Sequence, residues 1–187
     1  MFCKQNQMIR ITSGTAKGKH LSLPSNLKVT AVKEVVKLAI FSIIGDKIEN
    51  AICLDLFAGS GNLGIEALSR GAAFCDFVDE SKESIEIIQR NLKNCGLTDR
   101  ANVARSDTLK FLANDQTGYN VIFADPYYLE TNHRHLIKLA VEKLLPHGAF
   151  FLLTSTGTTI EVPKELVDTI QMENRKYGKT LLTIIKH

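Results

Sequence analysis

The sequence has no stretch approaching the roughly 18 consecutive apolar residues that a membrane-spanning helix requires. Its first residues, Met1-Phe2-Cys3-Lys4-Gln5-Asn6-Gln7, also lack the apolar run of a secretory signal. A cytoplasmic location is expected from these two absences. Cysteine is scarce: Cys3, Cys53, Cys75 and Cys95 are widely separated, with no C-x-x-C pair and no neighbouring histidine cluster. Neither a zinc site nor a disulfide framework is suggested, so no metal is expected and the thiols are read as reduced, with Cys53 a small core residue. No internal repeat, low-complexity tract or Pro/Gly-rich linker divides the chain. A single domain over 1–187 is expected, acting as a monomer, with residues 1–30 forming a basic N-terminal hairpin arm.

What remains is ordinary globular composition, 44% hydrophobic and 23% charged over 187 residues. The net charge of +3 is unevenly placed, because residues 1–50 hold eight Lys/Arg against three acidic residues. Such a basic end can meet an anionic partner such as nucleic acid, or it can be merely a solvated face.

Local patterns predict the element order. Ile9 to Leu21, with Gly14 and Gly18 among alternating polar and apolar residues, reads as a short hairpin or turn-rich arm. Ala31 to Ile44 places Val32, Val35, Val36, Ala39, Ile40 and Ile43 at helical period, implying one buried face. From residue 51, strand-like segments at 51–56, 73–78, 101–105, 120–124 and 149–154 alternate with helical ones at 63–69, 82–94, 109–113 and 133–145. That alternation implies a parallel sheet covered on both faces. The end differs: Thr169 to Lys176 and Leu181 to Lys186, joined around Tyr177-Gly178-Lys179, predict a hairpin that inserts an antiparallel strand at the sheet edge.

Gly59-Ser60-Gly61-Asn62-Leu63-Gly64 matches G-x-G-x-x-G between a strand and a helix, a pattern shared by several nucleotide-like ligands. The acids around it narrow the choice. Asp55 ends the first strand with a carboxylate that would repel an anionic dinucleotide but attract the sulfonium and ammonium of S-adenosylmethionine. Asp79, about twenty residues on at the next strand end, can accept hydrogen bonds from both ribose hydroxyls. Glu80 competes for that role. Asp107 after the third strand can accept from the adenine amine, or can simply cap the following helix. The expected cofactor segment thus runs from Asp55 through Phe57, Gly59 and Gly61 to Asn62 and Leu63, with Asp79 and Asp107.

The fourth strand runs into Asp125-Pro126-Tyr127-Tyr128. An exocyclic amine presents two N–H donors, which the Asp125 carboxylate and the Pro126 carbonyl could accept, biasing the nitrogen lone pair toward a methyl donor. Tyr128 could stack on the flat base, with Tyr127 beside it as a candidate RNA contact. Pro126 could also merely end the strand, and the tyrosines merely pack a loop.

Taken together, these motifs resemble the RsmD family, bacterial enzymes that methylate the guanine N2 amine of small-subunit (16S) ribosomal RNA. Leu54 through Ala72 is similar to the family's cofactor strand, loop and helix, Arg10-Ile11 through Lys17-Gly18-Lys19 to its basic arm, and Tyr177-Gly178-Lys179-Thr180 to its last hairpin. The resemblance implies a Rossmann-like class I S-adenosylmethionine-dependent methyltransferase fold, with a mostly parallel seven-stranded sheet and one antiparallel strand from the C-terminal hairpin. It implies direct in-line transfer of methyl to a guanine of 16S RNA or of the 30S particle, with Arg10, Lys17, Lys19 and Lys28 as candidate phosphate contacts. Where the family has Asp-Pro-Pro-Tyr this chain has Asp125-Pro126-Tyr127-Tyr128. Where the family's first helix begins Thr-Arg-Pro-Thr and carries an Arg and a Glu, this chain has Val29-Thr30-Ala31-Val32, Val35 and Leu38. Another amine target in DNA, transfer RNA or protein, or a non-catalytic RNA-binding assembly role, are the alternatives.

Overall fold

The computed structural model describes residues 9–25, 31–126 and 132–186. Two short strands, β1 (Ile9–Arg10) and β2 (His20–Leu21), pair antiparallel and are followed by helix α1 (Ala31–Ile44). A regular alternation then runs β3 (Ile52–Leu56), α2 (Asn62–Ser69), β4 (Phe74–Asp79), α3 (Lys82–Cys95), β5 (Ala101–Arg105), α4 (Thr108–Asn114), β6 (Tyr119–Ala124) and α5 (His133–Glu142). Strands β7 (Leu144–Ser155), β8 (Gln171–Tyr177) and β9 (Thr180–Lys186) complete the chain.

The main sheet has seven strands in the order β5-β4-β3-β6-β7-β9-β8. Strands β3 to β7 run parallel, while β9 enters antiparallel between β7 and β8. The predicted hairpin therefore supplies the antiparallel strand. Its outer member β8 is an exposed edge carrying Glu173, Arg175 and Lys176, and charge on an edge strand disfavours pairing with another chain.

Alternation along the strands divides the core into two layers. On one face Cys53, Cys75, Phe77, Phe123 and Phe151 pack with Val36, Ile40 and Phe41 of α1, with α2 and with α3. On the other, Leu54, Leu56, Val78, Ile122 and Leu152 pack with Leu112 of α4 and Leu136, Ile137 and Ala140 of α5. Both helical layers are needed because the parallel strands are apolar on both faces.

The structure departs from the sequence reading at two elements. Among the described side chains of α1, from Glu34 onward, the buried ones are Val36, Lys37, Ile40, Phe41 and Ile44, whereas Val35 is 52% exposed. The buried stripe is thus rotated from the predicted one, because it must accommodate Lys37, whose ammonium finds acid and carbonyl partners beneath the helix. At the other end, α5 stops at Glu142 and Leu144-Leu145 begin β7. Two leucines fit either period; here the Tyr119 N–H takes the Lys143 carbonyl at 2.8 Å and Tyr119 pairs with Leu144, which fixes the chain as strand. The register slips between Tyr119 and Val121, opposite a segment where His147 adopts φ 65°.

Helix α2 lies unusually close to β4. A Cβ on Gly64 would sit 2.3 Å from the Phe77 ring and 2.7 Å from the Cys75 sulfur, both fully buried. The third glycine of the motif is therefore required by helix–sheet packing, whatever ligand the turn receives. Gly64→Ala is expected to destabilise the fold by about 1–3 kcal/mol through overpacking. Urea unfolding checks this, and a wild-type midpoint would show that α2 can move off the sheet without cost.

Candidate functional site

The strand order reverses beside β3: the chain moves outward through β4 and β5, then returns to lay β6 against the other edge of β3. In open parallel sheets such a switch point leaves a crevice at the carboxyl ends of the strands. Three carboxylates stand there, Asp55 near the end of β3, Asp79 at the end of β4 and Asp125 immediately after β6. The fields of Asp79 and Asp125 both reach Asp55.

The turn between β3 and α2 is built from left-handed backbone. Phe57, Gly59 and Gly61 have φ of 54°, 56° and 76°, and Gly61 caps α2 without a side-chain bond. Gly59 donates its N–H to Asp79 at 2.8 Å, and Gly64 donates to Asp55 at 2.8 Å. The other Asp79 oxygen accepts from the Ser81 N–H at 2.9 Å. Asp55 is 3% exposed, and burial is the largest influence raising its pKa well above the usual carboxylate value, opposed by the Gly64 N–H and reinforced by Asp125 and Asp79. This bond to Gly64 was not foreseen from the sequence: Asp55 fastens the turn as well as charging it.

An anionic pyrophosphate would have to displace the Asp79 carboxylate from the Gly59 N–H and then lie among three acids. A cationic ligand is attracted by Asp79 and Asp125, and its arrival favours the charged form of the buried Asp55. The donor set therefore fits a small cation with hydroxyl groups better than a dinucleotide. Asn62 and Leu63 begin α2, with Leu63 buried. Asp107 is exposed and caps α4 through the Lys110 N–H at 2.9 Å, so one of its oxygens serves the cap that the sequence allowed as its other role. Glu80 is also exposed.

Asp125 and Pro126 are half-buried at the mouth of the crevice. Tyr127, Tyr128 and Lys28 lie outside the described residues. Arg10, Lys17 and Lys19 are exposed on the N-terminal segment, whose backbone closes through Ile11 N–H to Lys19 C=O and Gly18 N–H to Ile11 C=O. This segment is seated on α2 rather than projecting: Ile11, Ala16 and Leu21 are buried, and a Cβ on Gly14 would fall 1.7 Å from the Ser69 carbonyl oxygen. Among the described residues no group of three or more His, Cys, Asp or Glu is arranged to hold a metal ion.

Sequence reasoning missed the polar groups that fasten this segment. Glu66 of α2 is fully buried and accepts from Thr12 N–H at 2.9 Å, Thr12 Oγ1 at 2.7 Å, Ser13 N–H at 3.1 Å and Arg70 Nε at 2.8 Å. Lys37, 1% exposed, lies 3.0 Å from Glu66 and also donates to the Arg10 carbonyl at 2.8 Å and Asn62 Oδ1 at 2.9 Å. Asn91 of α3 is fully buried, donates to the carbonyls of Ser22 and Ser60, and accepts from the Ser22 N–H. Glu66 and Arg70 are spaced as a surface i,i+4 pair, so the sequence signal pointed to solvent. Val35 and Leu38, where the resembling family carries Arg and Glu, lie on the outer face of α1 at 52% and 47% exposure.

Burial alone would raise the Glu66 carboxyl, but the Lys37 ammonium and the bonds from Thr12 and Arg70 outweigh it and hold the group below the usual glutamate value. A depressed carboxyl stabilises the fold above its unfolded pKa, and that contribution disappears as pH falls through the folded one. Glu66→Gln is expected to cost about 3–5 kcal/mol near neutrality, because Lys37 is left buried without its counter-charge. The gap between variant and wild type should narrow below about pH 4.5, the ordinary glutamate region. Urea unfolding from neutral to acid pH measures this, and a pH-independent gap would contradict the assignment.

Comparison with known proteins agrees with this geometry. Residues 9–186 match the family model described as Conserved hypothetical protein 95. The Bacillus subtilis (strain 168) protein YlbH is 36% identical over 181 residues, covering 95% of this chain and 98% of its own. Ribosomal RNA small subunit methyltransferase D of Escherichia coli (strain K12) is 35% identical over 140 residues, covering 75% and 68%. The solved structure of yhhF from Escherichia coli superposes with a TM-score of 0.84 at 26% identity, covering 96% of this chain and 98% of that one. A Thermus thermophilus structure titled as a 16S rRNA N2 G1207 methyltransferase with AdoMet and guanosine shares the fold at a TM-score of 0.75 and 20% identity, covering 96% of this chain and 49% of that one. The architecture is the Rossmann-like fold of class I methyltransferases, and with its match over residues 9–186 the chain belongs to the Conserved hypothetical protein 95 family, the RsmD family.

Proposed function

We propose that this chain transfers a methyl group from S-adenosylmethionine to the exocyclic N2 amine of a guanine in small-subunit (16S) ribosomal RNA, acting in the cytoplasm. The observation that carries this reading is the convergence of Asp55, Asp79 and Asp125 at the ends of three adjacent strands around a left-handed glycine turn. The names of the Escherichia coli and Buchnera aphidicola relatives, both Ribosomal RNA small subunit methyltransferase D, support the choice of RNA. Among the described residues no helix is long and apolar enough to cross a membrane.

The methyl donor supplies an electrophilic methyl on a positive sulfonium. Asp55 and Asp125 set a negative field for that charge, and Asp79, on the rim, has lone pairs left for ribose hydroxyls beyond its bonds to Gly59 and Ser81. Phe57, Gly59 and Gly61 keep backbone close to the ligand, Asn62 and Leu63 open the helix behind it, and Asp107 retains one oxygen for the adenine amine. At the target, the Asp125 carboxylate and Pro126 carbonyl accept the two N–H bonds of the amine, so its lone pair faces the methyl. Tyr128 stacks on the guanine and Tyr127 on its neighbourhood, roles resting on the sequence alone. As the nitrogen–carbon bond forms and the carbon–sulfur bond breaks, the donor would leave as a neutral thioether and the nitrogen would shed one proton to the Asp125 carboxylate, so orientation counts for more than a strong base. Turning the base out costs a few kcal/mol, which favours a guanine already unpaired. Arg10, Lys17, Lys19 and Lys28 contact phosphates.

Asp125→Ala is expected to slow labelled-methyl transfer to 30S particles from a strain lacking this protein by about 100-fold, the scale of lost alignment. Donor affinity should fall by a smaller factor, because Asp55 and Asp79 still face the sulfonium. Wild-type transfer in the variant, or a mass-spectrometric map showing no missing guanine methyl in that strain, would remove this reading.

A further inference from the structure

Among the described residues four side chains bond to the glycine turn or to the first residue of α2, two from the sheet, one from α3 and one from α1. Asp79 takes the Gly59 N–H and Asp55 the Gly64 N–H, both from the sheet. Asn91 donates to the Ser60 carbonyl at 2.9 Å, and Lys37 donates to Asn62 Oδ1 at 2.9 Å. These last two flank Gly61 and share a property that the aspartates lack. The remaining bonds of Asn91 go to the N–H and carbonyl of Ser22, at 2.9 and 3.0 Å, and Lys37 also donates to the Arg10 carbonyl at 2.8 Å.

Arg10 and Ser22 bracket the N-terminal hairpin that carries the exposed Lys17 and Lys19. Each end of that hairpin is therefore one buried side chain away from the cofactor turn. Asn91 is 0% and Lys37 1% exposed, so neither can exchange a protein partner for water when the hairpin shifts. A displaced hairpin leaves a buried donor or acceptor unpaired, and the side chain must follow it and draw on the turn.

We propose that Asn91 and Lys37 are positioning residues that couple the hairpin to the cofactor turn, so that a polyanion seated on Lys17 and Lys19 fixes the turn and tightens binding of the methyl donor. This rests on the reading of the chain as an RNA methyltransferase. Coupling of this kind is reciprocal: donor and RNA each raise the affinity for the other by the same factor.

Calorimetric titration of S-adenosylhomocysteine into the full chain, with and without a 16S RNA transcript, reads the coupling directly. Wild type is expected to bind it at least about 5-fold more tightly with RNA present, the lower end of ordinary coupling factors. Asn91→Leu and Lys37→Met should abolish that gain while RNA affinity measured without the donor product stays within about 2-fold, and Lys37→Arg should restore it. Hydrogen exchange on wild type gives a measure independent of any variant's folding: RNA should slow the amides of residues 59–64. Equal affinity with and without RNA, or unchanged exchange in the turn, overturns the coupling even if methyl transfer is normal. Coupling without methyl transfer supports the positioning role and counts instead against the proposed reaction.

Discussion

The Glu66 carboxylate is the point on which the site's framework depends. It is a charge with no access to water, and such a group persists only when its lone pairs are saturated and a counter-charge lies against it. Thr12, Ser13, Arg70 and Lys37 meet that demand from three parts of the chain. Because the donors are spread so widely, satisfying one carboxylate fixes the hairpin on α2, α1 on both, and the Arg70 guanidinium 4.7 Å above the Phe41 ring. The hydrophobic layers supply most of the stability, but burial of apolar surface is non-directional. Directional bonds to a buried charge set the position of α1.

The same helix forms one wall of the glycine turn, so the framework and the crevice share atoms. Glu66 lies one helical turn beyond Asn62, and Lys37 bonds to both. Asp55 and Asp79 fasten the turn from the sheet side, where parallel register aligns the ends of β3, β4 and β6. Burial raises the Asp55 carboxyl most, and repulsion from Asp125 and Asp79 adds to it. The repulsion is tolerated because Asp55 and Asp79 also accept backbone N–H groups of the turn. A cationic ligand would relieve it.

The outer face of α1 shows what the framework leaves open to change. Val35 and Leu38 are exposed, while the inward Lys37 of the same helix touches three groups. Substitution on the outer face alters what a bound partner meets without disturbing Glu66. The departure from the family pattern at these two positions is therefore a surface difference rather than a loss of the buried network.

Much of the architecture was legible because it is written in short-range periodicity. Buried strands alternating with helices imply a two-sided parallel sheet, the turn of glycines marks its first crossover, and the turn around Tyr177-Gly178-Lys179 marks the closing hairpin. Asp55, Asp79 and Asp125 could be singled out because strand ends in such a sheet converge wherever the topology reverses. Lys37, Glu66 and Asn91 could not, since each is a polar residue on a helix and local pattern assigns such residues to solvent. Part of their bonding comes from the hairpin, whose Thr12, Ser13 and Ser22 lie more than fifty residues from Glu66 and Asn91 in sequence and supply backbone groups that no local rule connects to them. The sequence by itself determined the strands, the crossover helices and the acids at the strand ends, because those depend on neighbours in the chain. Only the tertiary structure decided which polar side chains are taken out of water, because a buried charge is set by the partners that distant segments bring to it.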